Sequence, residues 1–196
     1  KYRPIVQDPD GWRPSITHYS QIVLPTSQWV TGTKRPPGGF SALGRLPNTR
    51  FGELGFTQGI MTRKNLEPFR ISAAVFYTYS APGNSAGQNT YFGDVVNTRL
   101  IIEHILDNKK GFGYNIEFNT LHGATWRADG HSINSGQRSG FLIIGVEPAV
   151  QWRFGENWVA AAGVLLTAAG QNAIDAIYPN ISIFWYWSET GKVIMR

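Results

Sequence analysis

From Phe51 onward, apolar and polar residues alternate with a period of two along long segments. In 141–154, Leu142, Ile144, Val146, Pro148, Val150, Trp152 and Phe154 fall on one side, and Ile143, Gly145, Glu147, Ala149, Gln151 and Arg153 on the other. Successive side chains of a strand point to opposite faces, so one face is apolar along its full length while the other carries charge. Residues 176–188 repeat the pattern, with Ile177, Pro179, Ile181, Ile183, Trp185 and Trp187 opposing Tyr178, Asn180, Ser182, Phe184 and Tyr186. So do 69–80, 94–107 and 113–126, whose polar faces hold Arg70, then Arg99 and Glu103, then Glu117. Adding 51–62, 158–170 and an earlier 15–25 predicts about eight strands.

An ordinary globular strand runs ~5–6 residues, whereas a tilted membrane-crossing strand needs ~9–11. The connections 63–68, 108–112 and 155–157 are short, while 81–93 and 127–140 are long and polar. Short turns at one end and longer loops at the other match an outer-membrane barrel, in which apolar faces meet lipid and polar faces line the lumen. A soluble eight-stranded barrel or sandwich shares the alternation with the faces reversed. Three features favour the membrane form. The strands are long, Arg and Glu mix at mid-strand, and Trp126, Trp152, Trp158, Trp185 and Trp187 gather near strand ends as an aromatic girdle. The expected fold is an all-β, antiparallel, up-and-down transmembrane β-barrel over 51–196, preceded by a Pro/Gly-rich N-terminal arm over 1–50. The expected lumen-lining charge network is Arg70, Arg99, Glu103, Glu117, Glu147 and Arg153. An eight-stranded interior is just wide enough for side chains, so these charges are expected to pair. Pro148 and Pro179 fall inside strands and predict local bulges.

Composition narrows the chemistry. The chain of 196 residues has no cysteine, which excludes disulfides and thiolate metal sites. Net charge is +5, but no basic run exceeds a pair such as Lys34-Arg35, so a nucleic-acid partner is not expected. Its opening, Lys1-Tyr2-Arg3-Pro4, lacks a methionine, and processing or a longer gene product is expected. The four histidines, His18, His104, His122 and His131, form no HExxH or His-x-His pair, so neither metal nor cofactor is expected.

The C-terminal stretch adds a resemblance. Val146-Glu147-Pro148-Ala149-Val150-Gln151-Trp152-Arg153-Phe154-Gly155-Glu156-Asn157-Trp158 reads as strand, tight turn and returning strand. Ala162-Gly163-Val164-Leu165, Ala169-Gly170-Gln171-Asn172 and Tyr178-Pro179-Asn180-Ile181-Ser182 follow. This pattern resembles bacterial outer-membrane barrels of the transporter family of the meta-pathway of phenol degradation, near the channels for hydrophobic compounds. Such barrels usually have more strands, and often end on an aromatic residue of the last strand, whereas Ser188 to Arg196 follow Trp187 here. The resemblance implies an outer-membrane location and a barrel shape.

The expected role is non-enzymatic: a transporter or channel for small, hydrophobic compounds. The alternative is a non-conducting structural or anchoring barrel in a larger complex, with membrane lipid around it and a protein partner on residues 1–50. Within that arm, Trp29, Arg35, Phe40, Arg45 and Arg50 are candidate contacts. A third reading is a lipid-acting enzyme using His122 or His131 with Ser132, Asn134 and Ser135, but no GxSxG is present.

Overall fold

A computed structural model describes residues 2–24, 54–85, 88–91, 93–107, 109–125, 127–132, 140–155, 157–172 and 177–185. Among them the strands are β1 (Tyr2–Ile5), β2 (Ser15–Val23), β3 (Gly55–Leu66), β4 (Phe69–Ser80), β5 (Gly83–Ser85), β6 (Gln88–Tyr91), β7 (Val95–Asp107), β8 (Phe112–Gly123), β9 (Arg127–Ala128), β10 (His131–Ser132), β11 (Phe141–Arg153), β12 (Trp158–Gln171) and β13 (Ile177–Trp185). No helix occurs among these residues. Nine strands form one up-and-down antiparallel sheet in the order β1-β2-β3-β4-β7-β8-β11-β12-β13. The turns after β3, β7 and β11 lie at one end, and the connections after β2, β4, β8 and β12 at the other.

The turn residues explain these ends. At the short end, Asp107 Oδ1 accepts the N–H groups of Lys109 and Lys110 at 2.9 and 3.1 Å, closing the turn into β8. At the long end, Ser80 is fully buried and donates its hydroxyl to the Gly93 carbonyl at 2.9 Å. Asp94 accepts the Ser80 N–H at 3.1 Å and also the Tyr77 hydroxyl, which pins the start of β7 to the end of β4. Gly93 has φ +80°, and a Cβ there would stand 2.6 Å from the Ala124 carbonyl oxygen, so both backbone and space require glycine. Beyond this point the two long connections pair with each other in a second sheet, β10-β9-β6-β5.

The two faces of the large sheet differ. On β11, Ile144, Pro148, Val150 and Trp152 are exposed, while Ile143, Glu147, Ala149, Gln151 and Arg153 are sheltered. On β4, Ile71, Val75, Tyr77 and Tyr79 are exposed and Arg70, Ser72, Phe76 and Thr78 are not. The apolar rows lie on the exposed face and the ionic rows on the sheltered one. On the sheltered face side chains reach between strands two apart: the Tyr19 ring meets Phe76 edge-on at 5.4 Å, over Gly59. A Cβ at Gly59 would fall 2.3 Å from Phe76 Cδ1, so the missing side chain makes this contact possible.

Several expectations shift. Residues 63–66 continue β3 instead of turning, because the 6–14 turn folds against them. Lys64 Nζ donates to the Asp8 and Gly11 carbonyls, and the Asn65 N–H to Gln7 Oε1 at 2.9 Å. The predicted bulges at Pro148 and Pro179 do not occur. The irregularity in β11 falls between Ile144 and Gly145, and the β11–β12 register runs from Val146↔Leu166 to Ala149↔Gly163 without a shift. Pro148 therefore costs local pairing but no change in register. Pro179 stays in register opposite Val164 on β13, an edge strand among the described residues, where proline is tolerated. Trp126, Trp187 and residues 26–50 of the arm lie outside the described residues, as do 51–53 and 186–188 of the expected strands. From the arm, β1 and β2 are strands of the main sheet.

Candidate functional site

The sheltered face gathers Arg70, Arg99, Glu103, Glu117, Glu147 and Arg153 from four strands, β4, β7, β8 and β11. They arrange in two tiers. In the first, Arg70 and Glu103 stand opposite each other in the β4–β7 ladder, and Arg70 Nη1 reaches Glu103 Oε2 at 3.0 Å. Arg70 Nε donates to Asn65 Oδ1 at 3.2 Å. Gln151 Nε2, two strands away on β11, donates to Glu103 Oε1. Glu103 is 7% exposed, and these donors replace the water it has lost.

In the second tier, Arg99 Nη1 lies 3.5 Å from Glu117 Oε1, with the Arg99 side chain half exposed and that of Glu117 largely covered. Glu117 and Glu147 face each other directly across the β8–β11 ladder. Two carboxylates in that position repel, and each turns to a different donor. Glu117 has Arg99, while Glu147 Oε1 accepts from Asn180 Nδ2 on β13 at 3.2 Å. Gly163 makes the second reach possible: a Cβ there would stand 2.9 Å from Glu147 Oε1 and 2.7 Å from the Ala149 Cβ.

Arg153 lies apart, toward the short-turn end. Its backbone N–H donates to the Lys110 carbonyl at 2.9 Å, but its Nε and Nη2 are buried without a partner among the described residues. Among the described residues the network thus has paired charges at its centre and, in Arg153, a guanidinium with spare donors. A shallow pocket lined by Glu67, Pro68, Ile105 and Leu106 lies at the same end, next to the Arg70–Glu103 pair along β4 and β7.

The tryptophan expectation divides. Trp152, Trp158 and Trp185 share the exposed face at the short-turn end, where Trp158 and Trp185 are cross-strand partners with ring centroids 6.3 Å apart. Phe154 stacks on Trp158 at 6.1 Å, extending the cluster. The histidines do not converge. His104 stacks on Phe69 at 4.8 Å and its Nδ1 meets the Tyr114 hydroxyl at 2.8 Å. His18 and His122 are exposed on β2 and β8, and His131 is on β10 of the small sheet. Asn134 and Ser135 lie outside the described residues. No group of three or more His, Cys, Asp or Glu placed to hold a metal exists among the described residues.

The network's neutral members, Asn65, Gln151 and Asn180, were not singled out in the sequence, although parity already put Gln151 with Glu147 and Asn180 with Ser182. Two-residue spacing marks a face but not which amide on it bridges strands. Beside the network, the exposed face of β2 and β3 carries a polar stripe: Ser20 Oγ donates to Gln58 Oε1 at 2.9 Å, with His18 and Thr62 on the same side. No protein-family model matches the chain, and no curated protein sequence matches it either.

Proposed function

We propose that the chain forms an outer-membrane β-barrel whose interior is bridged by a structural charge network, and that it serves as a non-conducting, membrane-embedded scaffold. The observation that carries this reading is the reach of side chains across strands two apart on the sheltered face, Gln151 to Glu103 and Asn180 to Glu147. Eight strands enclose only room for side chains, and bridging amides and ion pairs occupy that room. The exposed face supports the membrane part. From Leu142 to Trp152 the apolar row of β11 runs ~33 Å along the strand, which at a barrel's ~40° tilt stands ~25 Å tall, the height of a lipid-facing band.

The transport reading, drawn from the resemblance to meta-pathway barrels, is favoured by one observation. Arg153 offers buried donors unpartnered among the described residues and Arg99 is half exposed, so a small polar or anionic group has somewhere to bind on the sheltered side. Fractionation with a heat-modifiability gel tests the membrane part: a folded outer-membrane barrel migrates differently before and after boiling, and a water-soluble protein rejects it. Planar-bilayer recording then separates the two roles. The scaffold reading expects no unitary conductance. Steps that change when Arg99 or Arg153 is replaced by glutamine reject it in favour of a channel.

A further inference from the structure

Strand β13, and β2 beneath the short β1, carry an excess of exposed apolar surface. On β13, Ile177, Ile181 and Ile183 are 71, 79 and 63% exposed, against 40–42% for Leu100, Ile116 and Val150 on central strands. Its sheltered-side residues Tyr178 and Phe184 are exposed as well, and so are Ile22 on β2 and Leu24 just past its end. Among the described residues β13 has a neighbour on one side only, and β2 is flanked on its outer side by the four-residue β1 alone, through Tyr2↔His18 and Ile5↔Ile16.

The registers say where that neighbour is. One hydrogen-bonded row crosses the sheet through Ile16, Thr62, Ala73, Leu100, Phe118, Val146, Leu166 and Ile177. Ile16 lies at the short-turn end of β2, whereas Ile177 begins β13 at the long-loop end. The row therefore climbs a full strand length in crossing the sheet. A flat stack of strands has no use for such a stagger, but a barrel requires it, because a row followed around a barrel returns to its first strand displaced by the shear. Strand direction selects the partner. β1 and β13, as first and ninth strands, run the same way, so they would close only through a parallel seam. β2 and β13 run in opposite directions, and each has nine residues.

The geometry points to closure by β13 against β2, with Ile177 beside Leu24 and Trp185 beside Ile16. This inference rests on the barrel reading above and specifies its seam. The displacement from Ile16 to Leu24 gives an eight-stranded barrel a shear of about 8, which corresponds to a tilt of about 36°, within the usual ~35–45° range. Outward residues then meet outward residues, Ile16 with Trp185 and Leu24 with Ile177. On the sheltered side Gln21 meets Asn180 and Thr17 meets Phe184. The seam also assigns a role to β1. Its Tyr2↔His18 and Ile5↔Ile16 pairings occupy the β2 edge that the end of β13 needs. β1 is thus a strap that competes with β13, and closure displaces it.

Because the chain has no cysteine, paired cysteines report the seam cleanly. The double variants Gln21→Cys/Asn180→Cys and Thr17→Cys/Phe184→Cys are oxidised in the folded full-length chain, in vesicles and in detergent. The seam predicts an in-chain disulfide in both, read as a faster-migrating monomer that reductant reverses. Locking the strap with Tyr2→Cys/His18→Cys is expected to abolish the heat-modifiable form until reductant is added. Cross-linking of Gln21→Cys to Ser182→Cys in place of Asn180→Cys overturns the register. Disulfides between chains, or none in either variant while tryptophan fluorescence reports a native fold, overturn the closure. The membrane reading is scored separately by carbonate extraction: a membrane-held chain without the disulfides sinks the seam alone, and the disulfides in a water-soluble chain sink the membrane alone.

Discussion

Replacing Arg70 by methionine tests how tightly the first tier is bound into the fold. Methionine keeps much of the apolar stem and removes the guanidinium. Arg70 Nη1 lies 3.0 Å from Glu103 Oε2, with side-chain exposures of 12 and 9%. Glu103 would then be left buried with the Gln151 amide as its remaining partner among the described contacts. Breaking a buried pair by removing one member costs about 3–5 kcal/mol, chiefly through the stranded charge. The second tier supplies the internal comparison. Arg99 is half exposed and 3.5 Å from Glu117, so Arg99→Met is expected to cost only about 0–1 kcal/mol. Urea unfolding of the detergent-refolded protein, followed by tryptophan fluorescence, reads both. The double variant Arg70→Met/Glu103→Met should recover most of the loss, since two apolar groups of similar volume leave no orphaned charge. Equal costs for Arg70→Met and Arg99→Met, or no recovery in the double variant, would refute the argument that covered charges hold this face together.

Further outcomes follow from other parts of the structure. Gly163→Val should destabilise by about 1–3 kcal/mol through overpacking, because its Cβ would meet Ala149 Cβ at 2.7 Å and press on Glu147; chemical unfolding reads it, and Gly130→Ala, with open space around its Cβ but a φ of +78°, separates crowding from backbone strain. Leu100→Arg places a charge on the exposed apolar face; it should cost about 2–4 kcal/mol if that site lies at the bilayer midplane, measured by unfolding from vesicles, and almost nothing if water covers it. Burial and the nearby Asp94 carboxylate push the Tyr91 phenol up. The neutral phenol is thus favoured by the fold, and its contribution is present below the ordinary tyrosine value near ~10 and lost as pH rises through the raised one. Absorbance titration at alkaline pH should show this tyrosine ionising late, and Tyr91→Phe should lower the amplitude of the late phase by one tyrosine.

The faces were legible from residue order alone because parity is a local property. Val150 and Glu147 differ by three positions, so in any strand they point opposite ways. Strand ends were less legible. Arg63, Lys64 and Asn65 have the composition of a turn, yet they extend β3 because carbonyls and a side chain from 6–14, some fifty residues earlier, satisfy them. β1 is four residues long and includes Pro4, so only its pairing with β2 makes it a strand. The short strands β5, β6, β9 and β10 likewise exist through pairing between two separate connections. Proline predicts a bulge because it lacks a donor, but register in β11 is held on its other side by an unbroken ladder to β8. Stagger between strands, which carries the closure argument, is set by long-range hydrogen bonds and has no signature in any single segment.

The central claim is that the apolar rows of the sheet meet acyl chains, and site-directed spin labelling addresses it most directly. Single cysteines replace Leu100, Ile116, Val150 and Ile183 on one face and Gln151 and Ala149 on the other, each labelled in protein reconstituted into lipid vesicles. Collision rates with oxygen, which concentrates in the bilayer, are compared with those of a water-soluble nickel chelate. The account predicts oxygen-dominated relaxation at the first four sites and a sharp drop in oxygen access at Gln151 and Ala149. Nickel-dominated relaxation at Leu100, Val150 and Ile183 in folded protein would contradict it.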